Sequence, residues 1–443
     1  MSRKTRILAT FVASAFALTG LAACSSGSDA GDGKGKVYIL NWKPEQEEAF
    51  KKVAADYSKE TGAEIKVVTA AAGTYEQKLK AEINKADAPT LYNINGPVGL
   101  KSWQQYAADL TDTKFAKDLN DPNLALKDKD GKIRGVPLAV EGYGIIYNQE
   151  IMDKYFAMPN AKATKMDEIN NFAKLKEVVE DMQAHKADLG IDGVFASTSL
   201  KGGEDWRWQT HLSNIPMYYE YQDDKVTDKA KAEFKYNKEF KNIFDLYLNN
   251  STVDKKQTPT KTVMDSMTEF GLGKAAMVQN GNWAWGQLKN DVKGNVVKED
   301  KIKMLPIYTG HKGEEKQGLA VGTEAFMAVN AKASEADQKA TIDFINWLFS
   351  DPQGKKAVVE DLGFIAPFKA FSADEIPNDP LAKEVAASLT NDQLKTVPWV
   401  FTTYPSQKFK DDFGQDLGQY AIGNLDWNKV VKDFQDGWAA EKK

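Results

Sequence analysis

The chain has 443 residues, a formal net charge of −5 at pH 7 and a single cysteine. Its 58 basic and 63 acidic residues are interspersed, without a basic block that would hold a phosphate backbone, so we expect no nucleic-acid partner. One cysteine excludes an internal disulfide framework, and three widely spaced histidines argue against a histidine metal site. We therefore expect neither a metal ion nor a cofactor.

The N-terminus has the pattern of a secretion signal that ends at the cysteine. Three basic residues precede an apolar stretch that runs to about Leu21 and is too short to span a bilayer as a stable helix. Leu21-Ala-Ala-Cys24 resembles a bacterial lipobox, in which the thiol of Cys24 carries a diacylglycerol; a plain signal peptide with an incidental thiol is the alternative. We expect residues 1–23 to be removed and residues 24–36, rich in Gly and Ser, to form a flexible tether. The remainder would then be extracytoplasmic and held at the cell membrane only by the lipid.

Predicted strands and helices alternate in the next part of the chain. Strands are predicted at 37–40, 64–69 and 90–94, with helices that begin near Pro44 and at Thr74, where Gln77 completes a capping box. This alternation predicts a parallel sheet covered by helices, with ligands beyond the carboxyl ends of the strands. Polar and aromatic residues follow each strand there, namely Asn41, Trp42, Glu45, Thr74, Tyr75 and Asn95.

The extended passage from Gly135 to Asn148 contains Glu141 and Tyr143 among apolar residues. Because a carboxylate is costly to bury without a partner, Glu141 should face a cleft or a partner group. Further along, two glycines at 202–203 lead into an acidic, basic and aromatic group, Asp205, Trp206, Arg207 and Trp208.

Two later passages complete the candidate residues. A strand at 273–278 is predicted to end in a tight turn at Asn280-Gly281, after which Trp283 and Trp285 open a helix. An extended run over 319–330 contains Glu324 and precedes a helix that Ser334 can cap. The helical spacing around Trp347 and Trp438 predicts that both rings lie in the core.

Several of these motifs stand in the order found in one protein family. They are Trp42 after the first strand, Asp87–Thr90, Val136–Glu141 followed by Ile146–Asn148, Lys274–Met277 followed by Asn280–Trp285, and the closing segments 326–331 and 343–349. From Val37 to its C-terminus the chain resembles the family 1 extracellular solute-binding proteins of bacterial ABC importers, the group that contains the maltodextrin-binding protein.

The resemblance implies a two-lobe α/β fold of the periplasmic-binding-protein type (type II). Each lobe would be a mostly parallel sheet flanked by helices, and a hinge would join the lobes. The first lobe would comprise 37–146 and about 322–370, and the second about 147–321 and about 371–443. A monomer would hold its ligand in the cleft, close over it, and dock on the permease subunits of an importer.

The resemblance also assigns roles to individual residues in the carbohydrate branch of the family. The position matching Glu141 accepts hydrogen bonds from sugar hydroxyls, the one matching Trp283 stacks on a pyranose ring, and Trp206 lies where another stacking ring is often found. The residues agree with this, since a sugar offers an apolar face to aromatic rings and hydroxyls to polar groups. The candidate ligand set is Asn41, Trp42, Glu45, Thr74, Tyr75, Asn95, Glu141, Tyr143, Asp205, Trp206, Arg207, Trp208, Asn280, Trp283, Trp285 and Glu324.

One part of the maltodextrin-binding site is absent. An aromatic residue and an Asp-Arg pair follow the third strand there, whereas Asn95-Gly-Pro-Val98 stands here, so maltose itself is not implied. The ten tryptophans favour an oligosaccharide, because several rings provide several stacking platforms.

Two alternatives to an oligosaccharide-binding protein remain open. A protein of the same fold could bind a polyamine through Glu141 and Asp205, or a ferric ion through Tyr218, Tyr219 and Tyr221. A secreted glycoside hydrolase would need Glu141 and Asp205 as acid and nucleophile on the two sides of a scissile bond. We expect a binding protein and not an enzyme.

Overall fold

Two β-sheets organise the chain in the computed structural model, which describes residues 35–71 and 73–442. The strands of this part are β1 (Val37–Asn41), β2 (Ile65–Thr69), β3 (Leu91–Asn95), β4 (Leu126–Lys127), β5 (Ile133–Pro137), β6 (Glu141–Asn148), β7 (Gly193–Phe195), β8 (Ala275–Gly281), β9 (Ile302–Leu305), β10 (Gln317–Gly322), β11 (Ala325–Val329) and β12 (Lys395–Pro398). The α-helices are α1 (Glu47–Thr61), α2 (Tyr75–Glu82), α3 (Gly96–Trp103), α4 (Lys114–Lys117), α5 (Gln149–Phe156), α6 (Phe172–Ala184), α7 (Lys186–Leu189), α8 (Ser213–Asp224), α9 (Asn237–Asn249), α10 (Val263–Gly271), α11 (Ala284–Gly286), α12 (Glu335–Ser350), α13 (Pro352–Lys356), α14 (Pro380–Thr390), α15 (Gln407–Ala421) and α16 (Trp427–Glu441).

The first sheet has the strand order β2-β1-β3-β11-β5-β4. β1 pairs in parallel with β2 and β3, whereas β11 runs antiparallel to β3 and β5. All five residues of β1 are buried, as expected for a strand covered on both faces. α1 buries Phe50, Val53, Ala54 and Tyr57 at helical spacing and ends at Gly62, which adopts a left-handed conformation. We call this sheet and its helices the first lobe.

The second sheet has the order β12-β10-β6-β8-β7, and β9 also pairs with β6. β6 runs antiparallel to β8, β9 and β10, while β7 pairs in parallel with β8 and β10 with β12. We call this sheet and its helices the second lobe. Both sheets are therefore mixed rather than mostly parallel, because β6 and β11 each enter their sheet from the other lobe and run against their neighbours.

Within the described residues the chain crosses between the lobes at three places. The first crossing lies between β5 and β6, the second between β10 and β11, and the third between the first-lobe core around Phe368 and α14 of the second lobe. β6 begins at Glu141 and finds all its partners in the second sheet, so the first change of lobe precedes Glu141 instead of following residue 146. The sequence over 135–148 is continuously β-prone, so it gives no sign of the break at 138–140.

Several local expectations can be compared with the structure. The Ser334 side chain accepts a hydrogen bond from the Asp337 amide and caps α12, and Trp347 and Trp438 are buried, which confirms these predictions. The capping box at Thr74 is wrong, because that residue has φ −112° and ψ 1° and its side chain makes no capping bond. The turn at Asn280-Gly281 is also wrong, since both residues pair with β6 inside β8. Among the described residues, no helix combines the length and the apolar character needed to span a bilayer.

Candidate functional site

Arg207 lies at the centre of a buried wall of the second lobe. A π-helical turn, Arg207–Leu212, follows Trp206 and places the Arg207 guanidinium 3.9 Å from the Trp206 ring centre. Nε and Nη2 of Arg207 donate hydrogen bonds to Asn280 Oδ1 at 3.1 and 2.9 Å. Burial lowers the pKa of Arg207 to about 9, and the carboxylates of Glu204 and Glu45 offset part of this effect. Trp206, Arg207 and Asn280, three of the candidate ligand residues, therefore lie together on this wall.

Five rings from four segments of the chain form an aromatic cluster beside Arg207. We define the aromatic cluster as Tyr143, Trp206, His211, Trp283 and Trp399. Trp283 lies 5.9 Å from Trp206 and 6.4 Å from Trp399, the latter nearly perpendicular, between ring centres. His211 stacks on Tyr143 at 4.3 Å and contacts all three indoles of the cluster. Burial holds the pKa of His211 well below its usual value, so the ring is neutral and acts as an aromatic surface.

Unpartnered polar atoms surround this cluster. Of the buried side-chain atoms that make no hydrogen bond within the described residues, seven belong to the cluster or to segments next to it: Asn95 Oδ1, Arg207 Nη1, Gln209 Oε1, Gln279 Oε1, Trp283 Nε1, Thr323 Oγ1 and Trp399 Nε1. Leaving a buried polar atom unsatisfied costs about 1–3 kcal/mol, so folded proteins seldom place several together. Such a set beside flat apolar rings suits a ligand that brings both hydroxyls and apolar faces.

The two amides of this set are tied to the Arg207 wall by their other ends. Gln279 Nε2 donates to the Arg207 carbonyl oxygen at 2.8 Å, and Gln209 Nε2 donates to the Asp205 carboxylate at 3.2 Å. Each amide thereby has its orientation fixed while its oxygen stays available. Burial raises the pKa of Asp205 to about 6.

Glu141 is neutralised by a lysine of the first lobe. Lys43 Nζ lies 2.7 Å from Glu141 Oε1 and 3.7 Å from Glu45 Oε1, and the side chains of Lys43 and Glu141 are 9% and 8% exposed. Burial opposes the charge on Lys43, but the two carboxylates outweigh it and raise the lysine pKa. Burial raises the pKa of Glu45, with Lys43 opposing it. Glu141 thus has the partner that its apolar surroundings demanded.

The two lobes touch at several points around the cluster. A β-carbon placed on Gly73 of the first lobe would lie 3.2 Å from the carbonyl oxygen of Gly203, and one placed on Gly96 would lie 3.3 Å from Thr402 Cβ. Both glycines have positive φ, 72° and 55°, so side chains are disfavoured there by conformation as well as by space. The structure therefore shows the two lobes in close contact at these two points.

Other predicted ligand residues do not reach this cluster. Asn41 is buried and accepts the Lys43 amide, which shapes its own loop, and the Tyr75 hydroxyl bonds the backbone of Asn93. Trp42 packs on Tyr75 at 5.2 Å, and Thr74 is exposed and donates to a local carbonyl oxygen.

Trp208 belongs to the core of the second lobe and not to the cleft. Its Nε1 donates to the Ser199 carbonyl oxygen at 3.1 Å, and its ring packs on Phe244 and Tyr247. The expectation that it contacts ligand is corrected by this placement. Because Trp206 and Trp208 stand on a helical turn, residues two apart face different directions.

Some residues of the site were missed from the sequence. One of them, Lys43, forms the ion pair with Glu141. The others lie in or beside the aromatic cluster, namely His211, Gln209, Gln279 and Trp399. Lys43 directly follows Trp42, a predicted site residue. The available signal was that Glu141 needed a cationic partner and that Lys43 stood within a predicted site motif.

Lys410 and Glu324 interact electrostatically at longer range, without a direct ion pair. Lys410, on α15, is 4% exposed, and no carboxylate of the described residues lies within 4 Å of its Nζ. Burial lowers its pKa, and Glu324 is the largest opposing influence. Burial raises the pKa of Glu324, and the nearby charge of Glu141 raises it further, while Lys410 and Lys43 oppose the rise. Glu324 is therefore electrostatically coupled to Lys410, Glu141 and Lys43.

Comparisons with known proteins bear on this site. The sequence pattern of a family described as bacterial extracellular solute-binding protein matches residues 52–384. The melibiose/raffinose/stachyose-binding protein MelE of Bacillus subtilis (strain 168) is 32% identical over 145 residues, which cover 32% of this chain and 33% of MelE. The match thus spans about a third of the length of that curated relative.

Solved structures share the fold over nearly the whole chain. RafE in complex with raffinose superposes with a TM-score of 0.69 at 17% identity, covering 92% of this chain and 100% of RafE. A chitin oligosaccharide binding protein gives 0.71 at 18% identity, with 92% and 99% covered. A sugar transporter protein from Bacillus licheniformis in complex with stachyose gives 0.65 at 18%, with 91% and 99% covered. These similarities confirm the two-lobe α/β fold.

Proposed function

Because the chain belongs to the bacterial extracellular solute-binding proteins, we propose that it captures an oligosaccharide between its lobes and delivers it to the permease of an ABC importer. MelE is named for melibiose, raffinose and stachyose, and RafE was solved with raffinose, which supports a sugar ligand. The ligand set would be built around the aromatic cluster, Arg207, Asn280 and the amide oxygens of Gln209 and Gln279.

One observation carries the proposal, namely the aromatic cluster with unpartnered polar atoms around it. A pyranose ring has an apolar C–H face that packs on an indole, and hydroxyls around its edge that donate and accept hydrogen bonds. Carbonyl oxygens of Gln209 and Gln279 would accept from hydroxyls, while Arg207 Nη1 and the indole N–H groups would donate to them. A single ligand class satisfies both halves of the site.

The mechanism we propose is capture followed by closure of the lobes about their crossings. The ligand stabilises the closed arrangement by the difference between its affinities for the closed and open forms. The approaches of Gly73 to Gly203 and of Gly96 to Thr402 support a closed form in which the cluster is covered. The closed form then docks on the permease as a monomer.

A lipid anchor at Cys24 would hold the protein at the outer face of the cell membrane. Cys24 and most of the tether lie outside the described residues, so the support is the lipobox-like sequence and the extracellular family. Expression of the full chain and of a Cys24→Ser variant, followed by detergent phase partitioning, tests this. The unaltered protein should enter the detergent phase and the variant the aqueous phase; equal partitioning would remove the anchor.

The sugar proposal is tested by calorimetric titration of Trp283→Ala. Trp283 is half-buried and contacts three other members of the cluster, so its loss should weaken oligosaccharide binding by about tenfold or more. Trp427→Ala is the matched control, because that half-buried indole packs on Phe240 and bonds Asn237 instead of lining the cleft. Unchanged affinity in Trp283→Ala would show that the ring does not carry the sugar.

The non-sugar alternatives are less well supported by the site. A polyamine would bring positive charge next to the buried cations Arg207 and Lys410, which would repel it. The tyrosines suggested for a ferric ion have other partners. Tyr219 stacks on His311, and the Tyr221 hydroxyl lies 3.0 Å from that of Thr403.

Hydrolysis is likewise not favoured by the geometry of the carboxylates. Glu141, the acid of such a mechanism, is paired with Lys43 Nζ at 2.7 Å and its side chain is 8% exposed, so it is engaged within the protein instead of being directed at a scissile bond. We expect oligosaccharides to remain intact after long incubation with the protein. Cleavage that depends on Glu141, followed by product chromatography, would overturn the assignment as a binding protein.

A further inference from the structure

A cavity of about 680 Å³ lies beside the aromatic cluster, with Trp283 in its wall. Trp283 belongs both to the cluster and to the cavity wall, and Trp285 and Asn282 continue that wall. Neither Trp206 nor Arg207 lines it, so the cavity is a distinct space that shares one ring with the proposed sugar site. Its volume falls within the range of about 300–1,000 Å³ that is typical of ligand sites.

Both lobes build this cavity. The second lobe contributes residues 282–290, and the first contributes Glu45 and the segment 352–363, whose Val358 and Leu362 are anchored in the first-lobe core. A β-carbon placed on Gly286 would lie 3.9 Å from Glu45 Cβ, so the two walls meet closely at this point. The cavity therefore lies between the two lobes, and its shape depends on how they are arranged.

The charges on the walls of the cavity disfavour an anionic occupant. Seven acidic and three basic side chains line it, and two of the lysines are engaged, Lys355 with Glu375 at 2.8 Å and Lys356 with Glu360 at 3.8 Å. Carboxylates accept hydrogen bonds from hydroxyls and repel anions. Together with the half-buried Trp285 ring, this chemistry matches the hydroxyls and the apolar face of an uncharged sugar ring.

We infer that the cavity holds the outer rings of a neutral oligosaccharide whose first ring lies on the aromatic cluster, with Trp285 as a second stacking platform. The inference rests on the proposed function and adds to it a preference for longer chains. Each ring that reaches the cavity gains contacts that a disaccharide confined to the cluster does not make. Trp285 becomes the residue that determines the chain-length preference.

Calorimetry with melibiose, raffinose and stachyose, which have two, three and four rings, tests this inference. The unaltered protein should bind stachyose about five- to tenfold more tightly than melibiose. Trp285→Ala should remove that gain. Asn290→Trp, which fills the cavity from an exposed position at its rim, should remove the gain as well and leave melibiose affinity unchanged, and Trp427→Ala should retain the gain.

The possible outcomes separate this inference from the function beneath it. Equal affinity of the unaltered protein for all three sugars, or a gain that persists in both cavity variants, would overturn the outer site and leave the sugar-binding function standing. Equal weakening of all three sugars by Trp285→Ala would assign that ring to the first site instead. If none of the three sugars binds, both the outer site and the proposal of a raffinose-type ligand, on which the outer site depends, would be wrong.

Discussion

Replacing Lys43 by methionine would leave the Glu141 carboxylate buried without its cation. Lys43 belongs to the loop after β1 in the first lobe, whereas Glu141 begins β6 of the second sheet, so their ion pair joins the two lobes near a crossing of the chain. Glu45, at 3.7 Å from the lysine, would lose its partner at the same time.

The separation and burial set the size of the effect. At an effective dielectric constant of about 20, unit charges 2.7 Å apart attract by about 6 kcal/mol. Several kcal/mol of desolvation per ion offset this gain, so the intact pair contributes little net stability. Removing one partner is different, because the desolvation of the other remains uncompensated. We expect Lys43→Met to lower the free energy of unfolding by about 3–5 kcal/mol.

A double-mutant cycle measured by urea denaturation at pH 7 isolates this interaction. Adding Glu141→Gln to Lys43→Met removes the unpaired charge and should recover at least about 2 kcal/mol. Lys339→Met is the control, since Lys339 and Asp343 form an ion pair whose side chains are 77% and 48% exposed and should contribute less than about 1 kcal/mol. If Lys43→Met costs no more than the control, or if the two substitutions are additive, the reasoning about the buried pair is wrong.

Three further predictions concern stability. Burial raises the pKa of Asp205 to about 6, against roughly 3.9 in the unfolded chain, so the folded state binds this proton more tightly. The folded state therefore loses stability as the pH rises from about 4 to 6. Asp205→Asn should therefore stabilise the protein by up to about 3 kcal/mol at pH 8 and little at pH 4 in urea denaturation; the opposite pH trend would refute this. Trp208→Ala should lower the free energy of unfolding by about 3–5 kcal/mol, while sugar affinity measured by calorimetry changes less than threefold. Lost affinity with intact stability would contradict the place of Trp208 in the core. Ser334→Ala should cost about 1 kcal/mol by removing the cap of α12, and an unchanged melting temperature would contradict that role.

The order of strands and helices in the first lobe could be predicted from local pattern alone. The strands at 37–40, 64–69 and 90–94 lie within one residue of β1, β2 and β3, because apolar runs bounded by turn residues carry that signal. The direction of strand pairing could not be predicted in this way, because it depends on strands such as β11, which lies more than 200 residues after β3 in the chain. The turn signal of Asn280-Gly281 was overridden in the same way by pairing with β6.

The candidate site was predicted in part for a related reason. Trp206, Arg207, Asn280 and Trp283 stood out because each lies in a short polar and aromatic motif. The partner of Glu141 stands 98 residues before it, and no local pattern links the two.

Trp399 shows the limit of reading residues without the fold. It follows Pro398 in a passage with no other site signal, yet its ring completes the aromatic cluster from a distant part of the chain. The direction in which the Trp208 side chain points depends on the π-helical turn that contains it. A strand or a regular helix at the same place would have given the side chain another orientation.

The most direct test of the central claim is calorimetric titration of the mature chain with a panel of neutral di- to tetrasaccharides, with spermidine and ferric citrate included. The account predicts saturable one-to-one binding of at least one oligosaccharide and no binding of the two non-sugar ligands. Saturable binding of spermidine or ferric ion, with no heat from any sugar, would contradict it.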